Sequence, residues 1–517
     1  MAVPGIKVST KLTATDLFWW RVDEPQNPMV INILVEFEGV LTPAAVRDAL
    51  EAAVAENIRL HGVPTSRFAD TAGTWGLLAG CLTVLATGSQ WYWKPIPHFS
   101  LEEHIRLHVL EERSEDCLRR FVDEEISHQL PKDRAQWRGI VIHNTPGSGS
   151  RALFRFHHVI ADGAGLGQWF YGLCQVHGPP TGDSPHEVPE KQAWVGRHPS
   201  TLSAHPPPKR TAVQRLRKVA ARVRDVVDFL LLEVLLVVYS ALKLLFLSRD
   251  SNSPFKGPNT GRKKTGTTLH SLDLPVEAVK ALGKGYDRDI TVNDVLCTLL
   301  AGAFRRFFQR HLLHPEQMSM RVAVPINMRS SIRPPITMDN RFSLVFKSLP
   351  IHLPTVQERL ASFHVRMGLM KMSIEPRLGL LLMYFLAWMP ERVLARVIEH
   401  FTLCTSAVLT NVMSSRIKLS FAGQPMDNMC FWVPTSGDIG LGISVCTYCD
   451  RINLGLVVDE NLLADVKPLL ADVVAEWDDM QRQLSAQGAA HPSSVIPAHT
   501  QEMIEANQQY GKPGHSR

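Results

Sequence analysis

Between Met29 and Gly39, Ile31, Ile33, Val35 and Phe37 alternate with Asn32, Leu34, Glu36 and Glu38. That period of two predicts a half-buried strand. Thr42-Pro43 then reads as a helix cap and first-turn proline, with Val46, Ala49, Leu50 and Ala53 forming an apolar stripe behind it. Gly139 to His143 and Ala152 to Phe156 are two strand-like runs separated by the turn-rich Thr145 to Ser150. Asp162 to Gln175 predicts a helix that buries Leu166, Trp169, Phe170 and Leu173. A second round of α and β signals begins near Thr267. Thr291 caps a helix running to Arg310, Val322 to Pro325 and Phe342 to Pro350 predict strands, and Gly440 to Cys446 with Arg451 to Val458 predict a hairpin. Trp75 to Ala86 is apolar but too short for a span, which predicts buried strands or a core helix.

The 517 residues are 45% hydrophobic and 20% charged, enough for two or three domains with cores of their own. Lys plus Arg exceed Asp plus Glu by only 5, which argues against a globally basic nucleic-acid binder. Eight scattered cysteines do not make a disulfide framework and fit a reducing compartment. Met1 to Leu12 has no apolar core, so no cleaved secretory signal is expected.

Composition shifts in mid-chain. Pro179 to Pro208 is rich in proline, glycine and polar residues. A basic stretch from Lys209 to Arg224 leads into the apolar run Phe229 to Leu247, and Arg249 to Gly266 is polar again. The expected organisation is an N-terminal half over 1–190, a linker with a basic and apolar membrane-associating helix over 191–266, a C-terminal half over 267–484, and a disordered tail over 485–517.

The chemistry concentrates in His157-His158-Val159-Ile160-Ala161-Asp162-Gly163, where a predicted strand gives way to a predicted helix. An imidazole at a strand end can reach into a cleft, and near pH 7 it is the side chain best suited to take a proton from a hydroxyl. Asp162 at a helix start can bind backbone N–H groups or an arginine. Gly163 would give the backbone a path that a Cβ obstructs. Separately, an HH pair or a DG turn is ordinary structure; the seven residues together at this junction favour a site.

His157-His158-x-x-x-Asp162-Gly163 resembles the HHxxxDG signature of CoA-dependent acyltransferases. Further segments resemble one branch of them, the wax ester synthase/diacylglycerol acyltransferase family. They are LFWWRVDEPQNPMVI (Leu17 to Ile31), PHFSLEEHIR (Pro97 to Arg106), TVNDVLCTLLAGAFRRF (Thr291 to Phe307), VPINMRS, DNRFSLVFKSLP, LTNVMSSR (Leu409 to Arg416), and the stretch from Trp432 to Asp459. The resemblance covers roughly residues 12 to 480. Two motifs depart from the family: its Pro-Leu-Trp is Ala135-Gln136-Trp137 here, and its Ser-Asn-Val-Pro-Gly-Pro is Thr410-Asn411-Val412-Met413-Ser414-Ser415.

The resemblance implies an α/β fold of two similar chloramphenicol-acetyltransferase-like halves, with an active-site tunnel at their interface. It implies acyl transfer from acyl-CoA, a co-substrate, to a fatty alcohol or diacylglycerol, with no resident cofactor and no metal. His158 would be the general base on the hydroxyl, His157 would orient the loop or the substrate, and Asp162 and Gly163 would be structural. Asn293, Asp294, Trp137 and Asn411 are expected at the substrate site or the junction, although Asn293 and Asp294 also fit an ordinary first helical turn. The chain contains no Gly-x-Ser-x-Gly nucleophile elbow, in keeping with direct attack and no acyl-enzyme.

Other signals are weaker. Cys446-x-x-Cys449 sits at a strand end without a second pair, which argues against zinc. His104 and His108 are four apart on an expected helix, but Glu102, Glu103, Glu111 and Glu112 suggest a solvated face. Arg262-Lys263-Lys264 could touch CoA phosphates, and an exposed linker is the default. Phe229 to Leu247 is long enough to span a bilayer, yet it carries Glu233 and Lys243. It also lies between His158 and Asn293, and a single crossing would put the two halves of one cleft on opposite sides. The expectation is therefore monotopic attachment on the cytoplasmic side, to the endoplasmic reticulum, the plasma membrane or a lipid-droplet surface, with Leu378 to Met389 as a second apolar contact.

Overall fold

A computed structural model describes residues 11–66, 91–177, 246–257, 264–269, 274–329, 337–464 and 466–488. The chain divides into two compact units, 1–185 with 248–517, and 186–247. The second unit contains the Lys209 to Arg224 stretch and the Phe229 to Leu247 run, and apart from residues 246 and 247 it lies outside the described residues. So do Trp75 to Ala86, the segment from Pro179 to Pro208, Arg262-Lys263 and the tail beyond Gly488.

The first unit is built on two mixed sheets. One has seven strands in the order 105–109, 137–143, 151–157, 30–37, 424–432, 419–421 and 175–176. The other has six, in the order 342–348, 321–327, 407–413, 441–448, 451–459 and 264–269. The sheets do not follow chain order. Leu419–Phe421 and Gln424–Trp432 lie in the second half of the sequence but complete the first sheet, where Gln424–Trp432 runs antiparallel to Val30–Phe37.

That pairing corrects one expectation. Val30–Phe37 is flanked on both edges and covered on both faces, so it is a central strand and not a half-buried one. Ile31, Val35 and Phe37 join one core, and Leu34 joins another with Leu118, Val122 and Ile140. The polar Asn32 is buried too and accepts a hydrogen bond from Arg155 Nε at 3.1 Å, which satisfies it.

Several elements follow local signals. Thr42 caps Pro43–Glu56, which buries Val46, Leu50 and Ala53. Thr291 and Asp294 form a capping box at the start of Val292–Arg310. The hairpin of Leu441–Tyr448 and Arg451–Asp459 turns through Cys449 and Asp450, whose φ values of 48° and 58° are those of a two-residue turn matched to strand twist. Cys446 and Cys449 are free, and among the described residues no His, Cys, Asp and Glu cluster could hold a metal ion.

His104 and His108 do not share a helix. A short helix, Leu101–His104, passes directly into strand Ile105–Val109, which pairs with the strand containing Gly139 to His143. His104 is buried with its Nδ1 3.0 Å from Ser100 O, and His108 stacks on Phe121. Edge pairing with a neighbouring strand overrode the helical spacing. At the C-terminal end, helix Lys467–Gly488 runs past residue 484, the expected start of the disordered tail.

Each half has its own core, around Val35, Trp137 and Phe154 in one and around Phe304, Ile443 and Leu456 in the other. A smaller cluster joins residues far apart in sequence: Leu17, Phe18, Trp19 and Met29 with Phe342, Met383, Leu386 and Leu394. The functional site lies beside this junction.

Candidate active site

Strand Arg151–His157 ends at the first histidine, and Asp162 starts helix Gly163–Leu173. The five residues between make the turn. His158 is pinned by its own backbone, its N–H donating to Met29 O at 2.7 Å. The imidazole stacks on Trp19 with centroids 4.5 Å apart and lies 5.3 Å from the Phe342 ring. Its Nδ1 is 3.0 Å from Asn340 Oδ1. Burial disfavours the charged form and pushes its pKa down to about 4, against the opposing pull of Asp162 and Asn340. His158 is thus neutral at physiological pH.

The adjacent histidine is placed differently. His157 is sealed from solvent, its Nδ1 accepts from Val159 N–H at 2.9 Å, and its Nε2 lies 3.4 Å from Asp23 Oδ1. Both ring nitrogens face the protein. Burial works against the charge on Asp23, but His157, the Met29 N–H and Lys132 hold its carboxyl below the usual range.

Asp162 is the hub of a junction between the halves. Its Oδ1 accepts from Gly165 N–H at 2.9 Å, capping the helix. Its Oδ2 pairs with Arg329 Nη1 at 2.7 Å and accepts from Arg341 N–H at 2.9 Å. Arg329 also reaches Asp339, at 3.2 Å from its carboxylate. Gly163 is not crowded, since a Cβ there would meet only Val412 Cγ2 at 3.5 Å. The tight position is Gly165, where a Cβ would come within 3.3 Å of Ala161 Cβ and Thr337 O. The expected obstruction belongs to the second glycine because that turn of the helix faces the 337–341 segment.

The remaining candidates scatter. Asn293 and Asn411 approach each other, with Oδ1 and Nδ2 3.5 Å apart. Asp294 is occupied by Thr291 and by His364 Nδ1 at 3.1 Å. Burial alone would raise its carboxyl, and those hydrogen bonds hold it low instead. Trp137 is in the N-terminal core, its indole N–H donating to Leu60 O at 2.7 Å. Gln136 is buried beside it, donating to Pro131 and Arg134 carbonyls. Residues not singled out from the sequence do more around His158: Asp16, Trp19, Arg59, Arg329 and Asn340. Trp19, Arg329 and Asn340 lie inside the family-like segments LFWWRVDEPQNPMVI, VPINMRS and DNRFSLVFKSLP, but nothing local distinguishes them from neighbours.

Residues 12–296 match the wax ester synthase/diacylglycerol acyltransferase catalytic domain, and residues 338–481 match the C-terminal domain of the same family. The chain belongs to the wax ester synthase/diacylglycerol acyltransferase family. It is therefore an acyltransferase. A Mycobacterium tuberculosis protein named a probable diacylglycerol O-acyltransferase is 22% identical over 392 residues, covering 74% of this chain and 80% of the relative. The wax ester synthase/diacylglycerol acyltransferase of Marinobacter aquaeolei VT8 shares the fold at a TM-score of 0.60 and 17% identity, over 92% of this chain and 100% of that one. The first condensation domain of the calcium-dependent antibiotic synthetase superposes at 0.53 and 15% identity, covering 95% and 98%. Both confirm an α/β fold with two sheet-bearing halves.

Proposed function

We propose that this acyltransferase moves a fatty acyl group from acyl-CoA to the hydroxyl of diacylglycerol or a long-chain alcohol, with His158 as the general base. The observation that carries this reading is the His158 ring itself: buried against Trp19 and Phe342, neutral, and tied at one nitrogen. His158 takes the proton of the acceptor hydroxyl as its oxygen attacks the thioester carbonyl. The tetrahedral oxyanion collapses, the C–S bond breaks, and the imidazolium returns the proton to the CoA thiolate. No acyl-enzyme forms, in keeping with the lack of a Gly-x-Ser-x-Gly elbow in the sequence. Asp162 holds the turn and leaves the proton transfers to His158. An apolar, aromatic wall beside the base suits a lipid acceptor better than a polar one.

The lipid reading extends to the surface. Helix Glu375–Leu386 packs Met383 and Leu386 into the cluster that holds Trp19, and exposes Leu381, Tyr384 and Phe385. Arg377 is exposed on the same helix, and residues 376–390 contain no acid. Such a helix fits monotopic attachment to an anionic lipid surface on the cytoplasmic side. No helix among the described residues is long and apolar enough to cross a membrane.

Labelled palmitoyl-CoA offered with diacylglycerol, with hexadecanol and with a polar amine tests the chemistry. Triacylglycerol or wax ester is expected from the wild type and not from His158→Gln. Transfer to the amine alone would refute the acceptor class. Flotation with phosphatidylglycerol-containing vesicles tests the surface: Leu381→Glu/Phe385→Glu should weaken flotation, and unchanged flotation would remove this helix from the attachment.

A further inference from the structure

Asn340 is almost wholly buried, and its side-chain amide has one permitted orientation. Its Nδ2 donates to His158 O at 2.7 Å and to Asp16 Oδ1 at 2.9 Å. These contacts use both N–H bonds of the amide. Turning the amide over would put its oxygen against a carbonyl and a carboxylate. The atom 3.0 Å from His158 Nδ1 is therefore the amide oxygen, which can only accept. The proton of the neutral ring must then be on Nδ1, which leaves the lone pair on Nε2.

The support continues behind the amide. Asp16 Oδ2 pairs with Arg59 Nη2 at 2.7 Å and accepts from Thr13 N–H at 2.9 Å. Arg59 Nη1 donates in turn to Ile160 O at 2.8 Å and Val159 O at 3.3 Å, the residues just after His158. Thr15 Oγ1 donates to Asn340 O at 2.7 Å, fixing the backbone of the amide as well. The chain Arg59–Asp16–Asn340–His158 is buried throughout, with no exposed member to let water in. In such surroundings hydrogen bonds polarise one another, so the Asp16 charge strengthens the acceptor that Asn340 offers.

We propose that Asn340, backed by Asp16, is a positioning residue that holds His158 in the Nδ1–H tautomer and presents bare Nε2 to the acceptor hydroxyl. This rests on His158 being the base. When the base takes its proton, the imidazolium is stabilised through Nδ1–H by the polarised amide, although among the described residues no carboxylate bonds the ring. A second residue thus does what a directly bonded carboxylate does in a hydrolase triad.

The full-length protein labelled with 15N-histidine tests it, with the His158 signals identified by their loss in His158→Gln. The wild type is expected to show a protonated Nδ1 and an unprotonated Nε2; the opposite pattern would overturn the inference whether or not any variant folds. Asn340→Leu should lose that tautomer and lower kcat about 10²-fold, at the low end for a misplaced base, with KM for acyl-CoA nearly unchanged. A folded Asn340→Leu with wild-type spectrum and turnover would also overturn the proposal. Failure of the base reading looks different: His158→Gln would stay active while the wild-type spectrum still showed Nδ1–H.

Discussion

Replacing Asp162 by Asn should damage the fold before it damages the chemistry. Three donors converge on this carboxylate: Gly165 N–H on one oxygen, Arg329 Nη1 and Arg341 N–H on the other. An amide has only one oxygen, so either way it turns, its NH₂ faces an N–H or a guanidinium. Asn is itself a good helix cap, and the cap therefore contributes little to the loss if the oxygen stays on Gly165. The cost then falls on Arg329, which is buried. Removing one partner of a buried ion pair costs about 3–5 kcal/mol. Asp339 remains 3.2 Å from Arg329 Nη2, which points to the lower end, about 3 kcal/mol. Urea unfolding of Asp162→Asn, read beside turnover well below its midpoint, measures both effects. Asp162→Asn/Arg329→Met removes the stranded charge, while Asp339 keeps Arg341 Nε at 2.8 Å. It should be more stable than the single variant, by roughly 1 kcal/mol or more of coupling. An Asp162→Asn protein as stable as the wild type but inactive would refute this reasoning and give Asp162 a direct part in the reaction.

His158→Gln should lower turnover roughly 10²–10⁴-fold, whereas His157→Gln should mainly lower stability, since both ring nitrogens of His157 serve the fold; thermal melts beside initial rates separate the two. Burial lowers the His158 pKa from 6.5 to about 4, so kcat/KM should stay level as pH falls until it nears about 4, and an acid limb near 6.5 would contradict it. The unfolded chain binds the extra proton first. The contribution of His158 to stability is therefore full above about 6.5 and is lost as pH falls toward about 4, which denaturant midpoints across that window would read. Trp19→Ala removes the ring stacked on His158 and lets water reach it; the acid limb of kcat/KM should move up toward the ordinary histidine value, and an unmoved limb would show that Trp19 is not what desolvates the base.

Local chemistry was legible in the sequence. The position of His157 to Gly163 at a strand-to-helix turn, the Asp162 helix start, the Thr42 and Thr291 caps and the hairpin at Cys449-Asp450 all rest on contacts within a few residues, where spacing and side-chain type suffice. Resemblance to a family supplied the two-halved α/β fold, which periodicity alone did not. What the tertiary structure decided lies at long range. Asn340 meets His158 across 182 positions, and Arg329 meets Asp162 across 167. No local pattern marks an asparagine or arginine for such a partner. Trp19 reads as one aromatic among several until its stacking on His158 is seen. The same holds for Gln424–Trp432, which has no regular alternation and carries no local sign that it will cross into the sheet of the other half. His104 and His108 show the reverse failure: their helical spacing was real, and strand pairing outweighed it. Hydrogen-bond satisfaction and burial are properties of the assembled core, so the residues around His158 become visible only where the two halves meet around it.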